Sequence, residues 1–485
     1  MIRKIILVLI LFTINVVSAD DFVWVVGGGY DLKSSQAQIE KNVIWAAEAI
    51  EKAPLNNGGK RYLDIFFTDG DAASKDVKVW RPVDEDQSLL QPLAMIYDSG
   101  YDNGVEYRNH KIAKVRGSTA RSELEPILSK DFANLKKGDR GLFIFNGHGG
   151  FDKQDTANNT FQLWNNSSFK VNEFAGLLDK VDNSVPMRFV FTQCYSGGFE
   201  RLVHPKTADS IDLVSAPRCG FFAEAADRKA EGCSSGINTA DYRDYSTYFF
   251  AALSGKTRQG DALPENPDRN KDGEVSLYEA HLYTLAQAHS TDLPRSTSEV
   301  YLERWQPWYL RWFFAGEGRG NVYAKLANDF ARELRLPIDQ SMQRSVISKQ
   351  IRRLDRRSKK LGQERKGLRV AMTETRYNIR YELEQRWPEL AKSRTEKYQQ
   401  LINSEAAAVR KFITGHENWA RLLGGYKRYY KIASERLEIE RKLTRFDKLK
   451  RLNKLARLRQ QFDEKATNQQ KADYQRLLGC EKLPL

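Results

Sequence analysis

Cysteine is scarce in this chain, with four in 485 residues, at positions 194, 219, 233 and 480. So few cannot form a disulfide scaffold that stands in for a core. None of the six histidines stands at metal-ligand spacing from a partner, which excludes the short paired-histidine zinc motifs. The glycine run Gly27-Gly28-Gly29 lacks the GxGxxG spacing, and no acidic residue is placed for a ribose, so a dinucleotide site is not indicated. No internal repeat and no DNA-reading motif occur. Beyond residue 19 no apolar run is long enough to span a bilayer.

What the chain does have at its start is a leader pattern. Arg3 and Lys4 precede the apolar run Ile5–Val17, and Val17-Ser18-Ala19 forms a small-residue cleavage site. Residues 1–19 are therefore read as a signal peptide and the remainder as exported, periplasmic or secreted. Export permits disulfides. Cys219 and Cys233 flank one loop and are the expected bridge, which leaves Cys194 as a free thiol and Cys480 without an assigned role.

Charge is divided unevenly. Residues 331–485 carry 39 Lys and Arg against 19 Asp and Glu, whereas residues 1–330 carry 38 against 44. A net charge of +14 thus hides an acidic front and a strongly basic back.

Residues 22–330 alternate strand-like and helix-like patterns. Strands are expected at Phe22–Val26, Tyr62–Phe67, Gly141–Phe145, Met187–Phe191 and Phe221–Ala225. Helices are expected at Gln36–Glu51, Val171–Val181 and Tyr245–Leu253. Strands spaced by helices predict an α/β fold with a mostly parallel sheet covered on both faces. From Ala327 strand patterns vanish, and Leu, Ile, Arg, Lys, Glu and Gln dominate. Long amphipathic helices are expected there, punctuated by Pro337, Pro388 and Gly424-Gly425. The division is an α/β domain over 20–326 and a basic helical bundle or coiled coil over 327–485.

Two strand ends carry the candidate chemistry. One run ends at Asn146-Gly147-His148-Gly149-Gly150, the other at Gln193-Cys194-Tyr195-Ser196-Gly197. In a parallel sheet, ligands sit outside the carboxyl ends of the strands. Cys194 is a candidate nucleophile and His148 its proton acceptor. The backbone N–H groups of Gly149 and Cys194 are candidate oxyanion donors. The pair resembles the caspase–legumain superfamily of cysteine peptidases. In caspases Gln-Ala-Cys-x-Gly is preceded by a histidine about 50 residues upstream; here Gln193 precedes Cys194, and His148 lies 46 residues upstream. His-Gly ending one strand and Cys-x-Ser-Gly ending the next are similar to the bacterial legumain-like branch. The resemblance covers residues 22–310 and implies a caspase-like sandwich and a cysteine-type endopeptidase acting on a protein or peptide. It departs from legumains at the P1 pocket, where Ser34 or Ser35, beside Lys33, stands in place of a basic residue. Asp227 is the other substrate-binding candidate, and an acidic pocket there would favour Arg or Lys at P1.

A second motif is Asp268-Arg-Asn270-Lys-Asp272-Gly273-Glu274-Val275-Ser276-Leu-Tyr-Glu279, which matches the twelve-residue EF-hand loop. Side-chain oxygens of Asp268, Asn270, Asp272, Ser276 and Glu279 and the carbonyl of Glu274 would hold a structural calcium ion. A helix is expected after the loop, at Leu277–Ala288, and none before it, because Pro264 and Pro267 intervene. The tryptophans Trp305, Trp308 and Trp312 are expected to pack on the sheet.

The basic helices admit three readings. Nucleic-acid binding is disfavoured by export and by the missing motifs. Attraction to an anionic surface is the second. The third is a regulatory segment docking on the acidic front half, as the helical C-terminal pro-segment of legumains does. No membrane span is expected once the leader is removed. Rival functions are a transpeptidase using the same thioester chemistry, and an inactive scaffold working through its helices.

Overall fold

The computed structural model describes residues 20–485 apart from 56–57, 81–88, 98–104, 206–210, 234–241, 308–317 and 393–394. The leader at 1–19, Trp308, Trp312 and the Cys233 side chain lie outside the described residues. In chain order the elements begin β1 Asp21–Gly28, α1 Ala37–Lys52, β2 Arg61–Phe67, β3 Val77–Trp80, α2 Leu90–Tyr97, β4 Val105–Arg108 and α3 Arg121–Asn134. They continue β5 Arg140–Gly147, β6 Gly149–Gly150, β7 Thr160–Leu163, β8 Ser167–Lys170, α4 Val171–Leu178, β9 Met187–Phe191 and β10 Arg218–Phe222. Then come α5 Tyr245–Ser254, α6 Leu277–Gln287, β11 Arg295–Ser296 and α7 Thr297–Trp305. The helical region comprises α8 Val322–Glu333, α9 Gln340–Arg386, α10 Glu396–Gly415, α11 Trp419–Lys465 and α12 Asn468–Glu481.

The fold is α/β. Its central sheet has the order β11-β10-β9-β5-β1-β2, parallel except for β11 at one edge. Alternation along each strand sends residues to opposite faces. Val23 and Val25 of β1, Ile144 of β5 and Val190 of β9 enter one core with α1, α5 and α6. Trp24, Val26, Phe143, Phe145, Phe189 and Phe191 enter the other, under α3 and α4. With both faces covered, these strands must be apolar at nearly every position, which is why they read as continuous runs in the sequence. The last strand of the parallel set ends at Phe222 rather than Ala225, although the Ala223 amide still donates to the Phe191 carbonyl at 3.0 Å.

The acidic front and the basic back share a core. Leu449, Leu452, Leu455, Leu458 and Phe462 of α11 and Tyr474 and Leu477 of α12 belong to the same apolar cluster as Val23 and Val25. The expected change of domain at Ala327 falls inside α8, which packs into that cluster through Ala324, Ala327 and Phe330. Polar contacts lock the seam. Arg451 donates to Glu299 at 2.9 Å and to the Pro294 carbonyl at 2.9 Å. Glu481, fully buried, accepts from Ser298 N at 2.7 Å, Thr297 Oγ1 at 2.7 Å, Ser298 Oγ at 2.6 Å and Ser296 Oγ at 3.2 Å. The chain end tucks beneath the sheet, where the buried Arg188 donates to the Pro484 carbonyl at 2.6 Å.

Three expectations need correction. Cys219 is bonded to Cys480, not to Cys233, with a Cα–Cα distance of 5.9 Å. Packing of α12 against β10 brings together residues 261 apart in sequence, a pairing that spacing along the chain cannot reveal. Cys194 is not a free thiol either: it is disulfide-bonded, and the described residues contain no free cysteine. Finally, Gly424-Gly425 does not interrupt the helices. The helix α11 runs straight through it, because a Cβ at Gly425 would meet Met372 Cγ at 2.9 Å and glycine allows α9 to approach. By contrast Pro388 does separate α9 from α10, opening a short 3-10 turn.

Replacing Cys219 and Cys480 together by serine is expected to lower the unfolding free energy by about 2–5 kcal/mol, since the bridge closes a very long loop. Chemical denaturation of the double variant measures this. Peptide mapping without reduction should recover the Cys219–Cys480 link.

Candidate active site

The rim at the carboxyl ends of the parallel strands is set by register. Phe145 of β5 lies opposite Phe191 of β9. His148 and Cys194 each follow three residues later, so both leave the sheet at the same level on neighbouring strands. The two segments are stitched together: Thr192 donates through N and Oγ1 to the Phe145 carbonyl, each at 3.1 Å, and through Oγ1 to Asn146 Oδ1 at 2.7 Å. A Cβ at Gly149 would fall 1.9 Å from the Cys194 carbonyl oxygen, so only glycine allows this approach of the two main chains.

His148 is well oriented. Its Nε2–H donates to the Ser34 carbonyl at 2.8 Å and to Gln36 Oε1 at 3.0 Å. The tyrosine ring of Tyr30 meets the imidazole edge to face at 5.6 Å. Because two oxygens face Nε2, the proton belongs there and Nδ1 is left with its lone pair. Burial pushes the imidazole pKa below its ordinary value, opposed by the Ser34 hydrogen bond and by Asp31. A neutral imidazole with Nδ1 open can accept a proton.

Cys194 is 3% exposed, and its Sγ lies 3.9 Å from the Ala230 carbonyl oxygen. In the disulfide-bonded state the sulfur has no nucleophilic lone pair of thiolate character. Just after it, Tyr195 takes a left-handed conformation with φ 61°. Such a backbone in a non-glycine residue costs free energy and persists only where neighbours over-determine it. Here Tyr195 N donates to the Arg228 carbonyl at 2.8 Å, and the Tyr195 carbonyl accepts from Asn159 Nδ2 at 3.0 Å. The buried Asn159 also donates to the Ala226 carbonyl at 2.7 Å, tying the turn after Cys194 to the loop after β10.

That loop, 223–233, covers Cys194 and is itself held by α11. Glu231 forms a buried ion pair with Arg441, whose Nε donates at 3.1 Å. Asp292, fully buried, accepts from Glu231 N at 2.7 Å and from Tyr245 N at 2.8 Å. Lys448 Nζ donates to the Ala288 carbonyl at 2.7 Å; burial lowers its pKa to about 8 against the pull of Asp292, Glu224 and Glu231. Burial raises Glu224 to about 7, opposed by Arg228. Asp227 stands exposed on this loop between Ala226, whose carbonyl accepts from Asn159, and Arg228, whose carbonyl accepts from Tyr195. Ser34 serves the histidine through its carbonyl, Ser35 is buried, and Lys33 is exposed. Asn159, Gln36 and the Ser34 carbonyl were not foreseen. Asn159 stands in no recognisable motif, and a carbonyl carries no side-chain signal.

The 268–279 loop folds as a ladder of side-chain acceptors. Asp268 Oδ1 and Oδ2 accept from Lys271 N at 2.7 Å and Gly273 N at 3.1 Å. Asn270 Oδ1 accepts from Asp272 N at 2.9 Å, and Asp272 Oδ1 from Glu274 N at 3.0 Å. Lys271 and Gly273 have φ of 63° and 91°, the sharp reversals such a loop needs. Val275 is partly buried against the core, and α6 begins at Leu277 after the Ser276 N-cap. Glu279, however, is saturated. Its Oε1 accepts from Arg269 N at 2.9 Å and Asn270 N at 3.2 Å, and its Oε2 from Ser276 N at 3.0 Å and Ser276 Oγ at 2.8 Å. The loop's carboxylate and amide oxygens are thus engaged with main-chain N–H groups, and the twelfth residue, Glu279, serves as a helix cap. Elsewhere, and among the described residues, Asp69, Asp76 and His110 gather potential ligand atoms within 4.8 Å beside the end of β2. His110 Nδ1 and Asp76 Oδ2 are 2.8 Å apart there, and Asp76 raises the histidine pKa.

No family model and no curated protein matches the chain. Among solved structures it is similar to protein GSU0716 from Geobacter sulfurreducens, at 13% identity and a TM-score of 0.32, covering 57% of this chain and 92% of the other.

The tautomer and the pKa are directly measurable. At pH 7, nitrogen-15 NMR should show the His148 proton on Nε2, and its titration midpoint should lie below about 6.5. Removing the Gln36 acceptor by Gln36→Ala should broaden or mix the tautomer signals.

Proposed function

We propose that the protein is an exported cysteine endopeptidase held in a latent state. The observation that carries the reading is the common level of His148 and Cys194 on adjacent parallel strands, with the imidazole oriented by Ser34 and Gln36. In the working form, Nδ1 of His148 takes the Cys194 thiol proton, and the thiolate attacks the scissile carbonyl. The carbonyl oxygen becomes an oxyanion near the Gly149 and Cys194 amides. Collapse expels the amine, which recovers the proton from His148, and water then hydrolyses the thioester. A neutral base is required, so the lowered His148 pKa extends activity to the acid side of an ordinary histidine.

Two features oppose turnover. The Cys194 sulfur is engaged in a disulfide, and loop 223–233 is clamped over it through Glu231 and Arg441. Activation therefore needs a thiol reductant. One reductant thiolate attacks the disulfide, a second resolves the mixed disulfide, and Cys194 leaves as thiolate while the reductant is oxidised. The engaged sulfur also favours a second reading, in which the rim is inactive and the helices are the working part.

One experiment separates these. The full chain, treated with dithiothreitol, should cleave a peptide library and take up a thiol-directed peptide probe. Untreated protein and Cys194→Ala should do neither. Since reduction also opens Cys219–Cys480, the Cys219→Ser/Cys480→Ser variant should still require reductant. Arg441→Ala should raise turnover of the reduced protein several-fold by freeing the loop, with the acid limb of kcat/KM below pH 6.5. A reduced protein that neither labels nor cleaves would overturn the peptidase and leave the scaffold.

We also propose that Asp268, Asn270, Asp272, the Glu274 carbonyl, Ser276 and Glu279 hold calcium once Glu279 exchanges hydrogen bonds for the ion. Titration calorimetry on chelator-treated protein should show one site, lost in Asp272→Ala. Calcium should raise the melting temperature of the native chain and not of the variant. Equal heats for both proteins would remove the loop as the site.

A further inference from the structure

The outward stripe of α9 has no role in the core or at the rim, yet it is built with a consistent chemistry. Between Arg344 and Arg369 stand eleven Lys or Arg residues against Asp355 and Glu364, and Glu364 is taken by Arg428 at 2.7 Å. Arg352, Arg356, Lys359 and Lys366 are spaced by one or two helical turns, which places them on one helix face. All four are exposed, and none joins a carboxylate among the described contacts. The same line continues through Val370, Tyr377 and Tyr381, seven and four residues apart. These three side chains are 65%, 68% and 57% exposed. Glu374 and Glu384 are the carboxylates on that part of the face, and Glu384 accepts from Arg380 at 2.7 Å.

Val370, Tyr377 and Tyr381 form a row along one helix edge rather than isolated exposed residues. On the opposite face Leu361, Met372, Ile379 and Leu383 are buried, so the stripe is not an unpacked core face. From Arg352 to Tyr381 the line is about 44 Å long at helical rise. Cations leading into exposed aromatic and aliphatic side chains on one rigid edge match a surface that is anionic outside and apolar just beneath. Tyrosine favours that interfacial level, and basic residues favour anionic headgroups. A hydrated linear polyanion would satisfy the cations and leave Val370, Tyr377 and Tyr381 bare.

We propose that the outer face of α9 is a docking surface for an anionic phospholipid bilayer, on which the protein lies peripherally. No described helix is long and apolar enough to cross a membrane. The arginines and lysines supply headgroup contacts, and the tyrosines and valine enter the interfacial layer.

Sedimentation of the full chain with vesicles of phosphatidylglycerol and phosphatidylcholine tests the proposal. Binding should rise with phosphatidylglycerol content and weaken with salt. Arg352→Glu/Arg356→Glu/Lys359→Glu should bind roughly a hundredfold more weakly. Tyr377→Ser/Tyr381→Ser should weaken binding at high salt, where the apolar contribution remains. All these positions are exposed, and circular dichroism checks that each variant keeps its helices. Binding unaltered in both variants overturns the proposal. So does failure on acidic vesicles, including the outcome in which the chain is retained instead on soluble heparin with the Tyr377→Ser/Tyr381→Ser variant unaffected. Because the readout is independent of proteolysis, it stands or falls apart from the peptidase reading.

Discussion

Parallel pairing of β5 with β9 determines what the rest of the rim must accommodate. A one-residue slip of β9 against β5 would turn Val190 toward the phenylalanine-rich face, and Phe189 and Phe191 toward the other core. Phe191 stacks on Phe199 at 4.4 Å and lies 6.0 Å from Phe161, contacts that the smaller Val190 would leave as a void. Two apolar cores thus hold the register, and the register holds His148 level with Cys194. The approach of Gly149 to the Cys194 carbonyl is a consequence of the same pairing and forbids any larger residue there.

The helical back half is fastened by buried charge rather than by apolar contact alone. Arg451 meets Glu299, which also lies 3.1 Å from His281 Nε2, and both carboxylate and histidine are fully buried. Arg451 and His281 keep the Glu299 carboxyl down at about 2 despite burial. Burying such groups is costly, and removing one partner strands the other, typically at about 3–5 kcal/mol. Well-packed apolar residues would bind as tightly. What the charges add is alignment: Glu481 fits only where donors of Ser296, Thr297 and Ser298 converge at the start of α7. The seam sets the position of α11, and α11 in turn presents Arg441 to Glu231.

The strands and the places where they end were legible because a sheet buried on both faces leaves unbroken apolar runs, and glycine marks the places where main chains meet. The helix before β2 was legible from its apolar periodicity, and the one after the EF-like loop from the motif that precedes it. The cysteine pairing was not, because the partner of Cys219 lies on a helix that reaches it only through tertiary packing. Nor was the shared core: the leucines of α11 have the same spacing whether they face another helix or a sheet domain. Composition pointed to a separate basic module, whereas the excess charge is concentrated on the solvent side of long helices whose other side is buried. Orientation of His148 by a main-chain carbonyl is likewise invisible in residue identities.

On the latent-peptidase reading, the base and the cover differ in what must change for chemistry. Ser34 and Gln36, which orient His148, sit on the β1–α1 connection and make no contact with the loop over the sulfur in any described hydrogen bond. The imidazole therefore keeps its tautomer whatever the oxidation state of Cys194. The cover is different. Glu231 accepts from Thr291 N at 2.7 Å and pairs with Arg441, while Asp292 holds Glu231 N from below. Moving this loop exposes or strands several buried polar groups at once, each worth about 1–3 kcal/mol. The barrier to a competent site accordingly lies in releasing loop 223–233 and the sulfur, with His148 already oriented by Ser34 and Gln36.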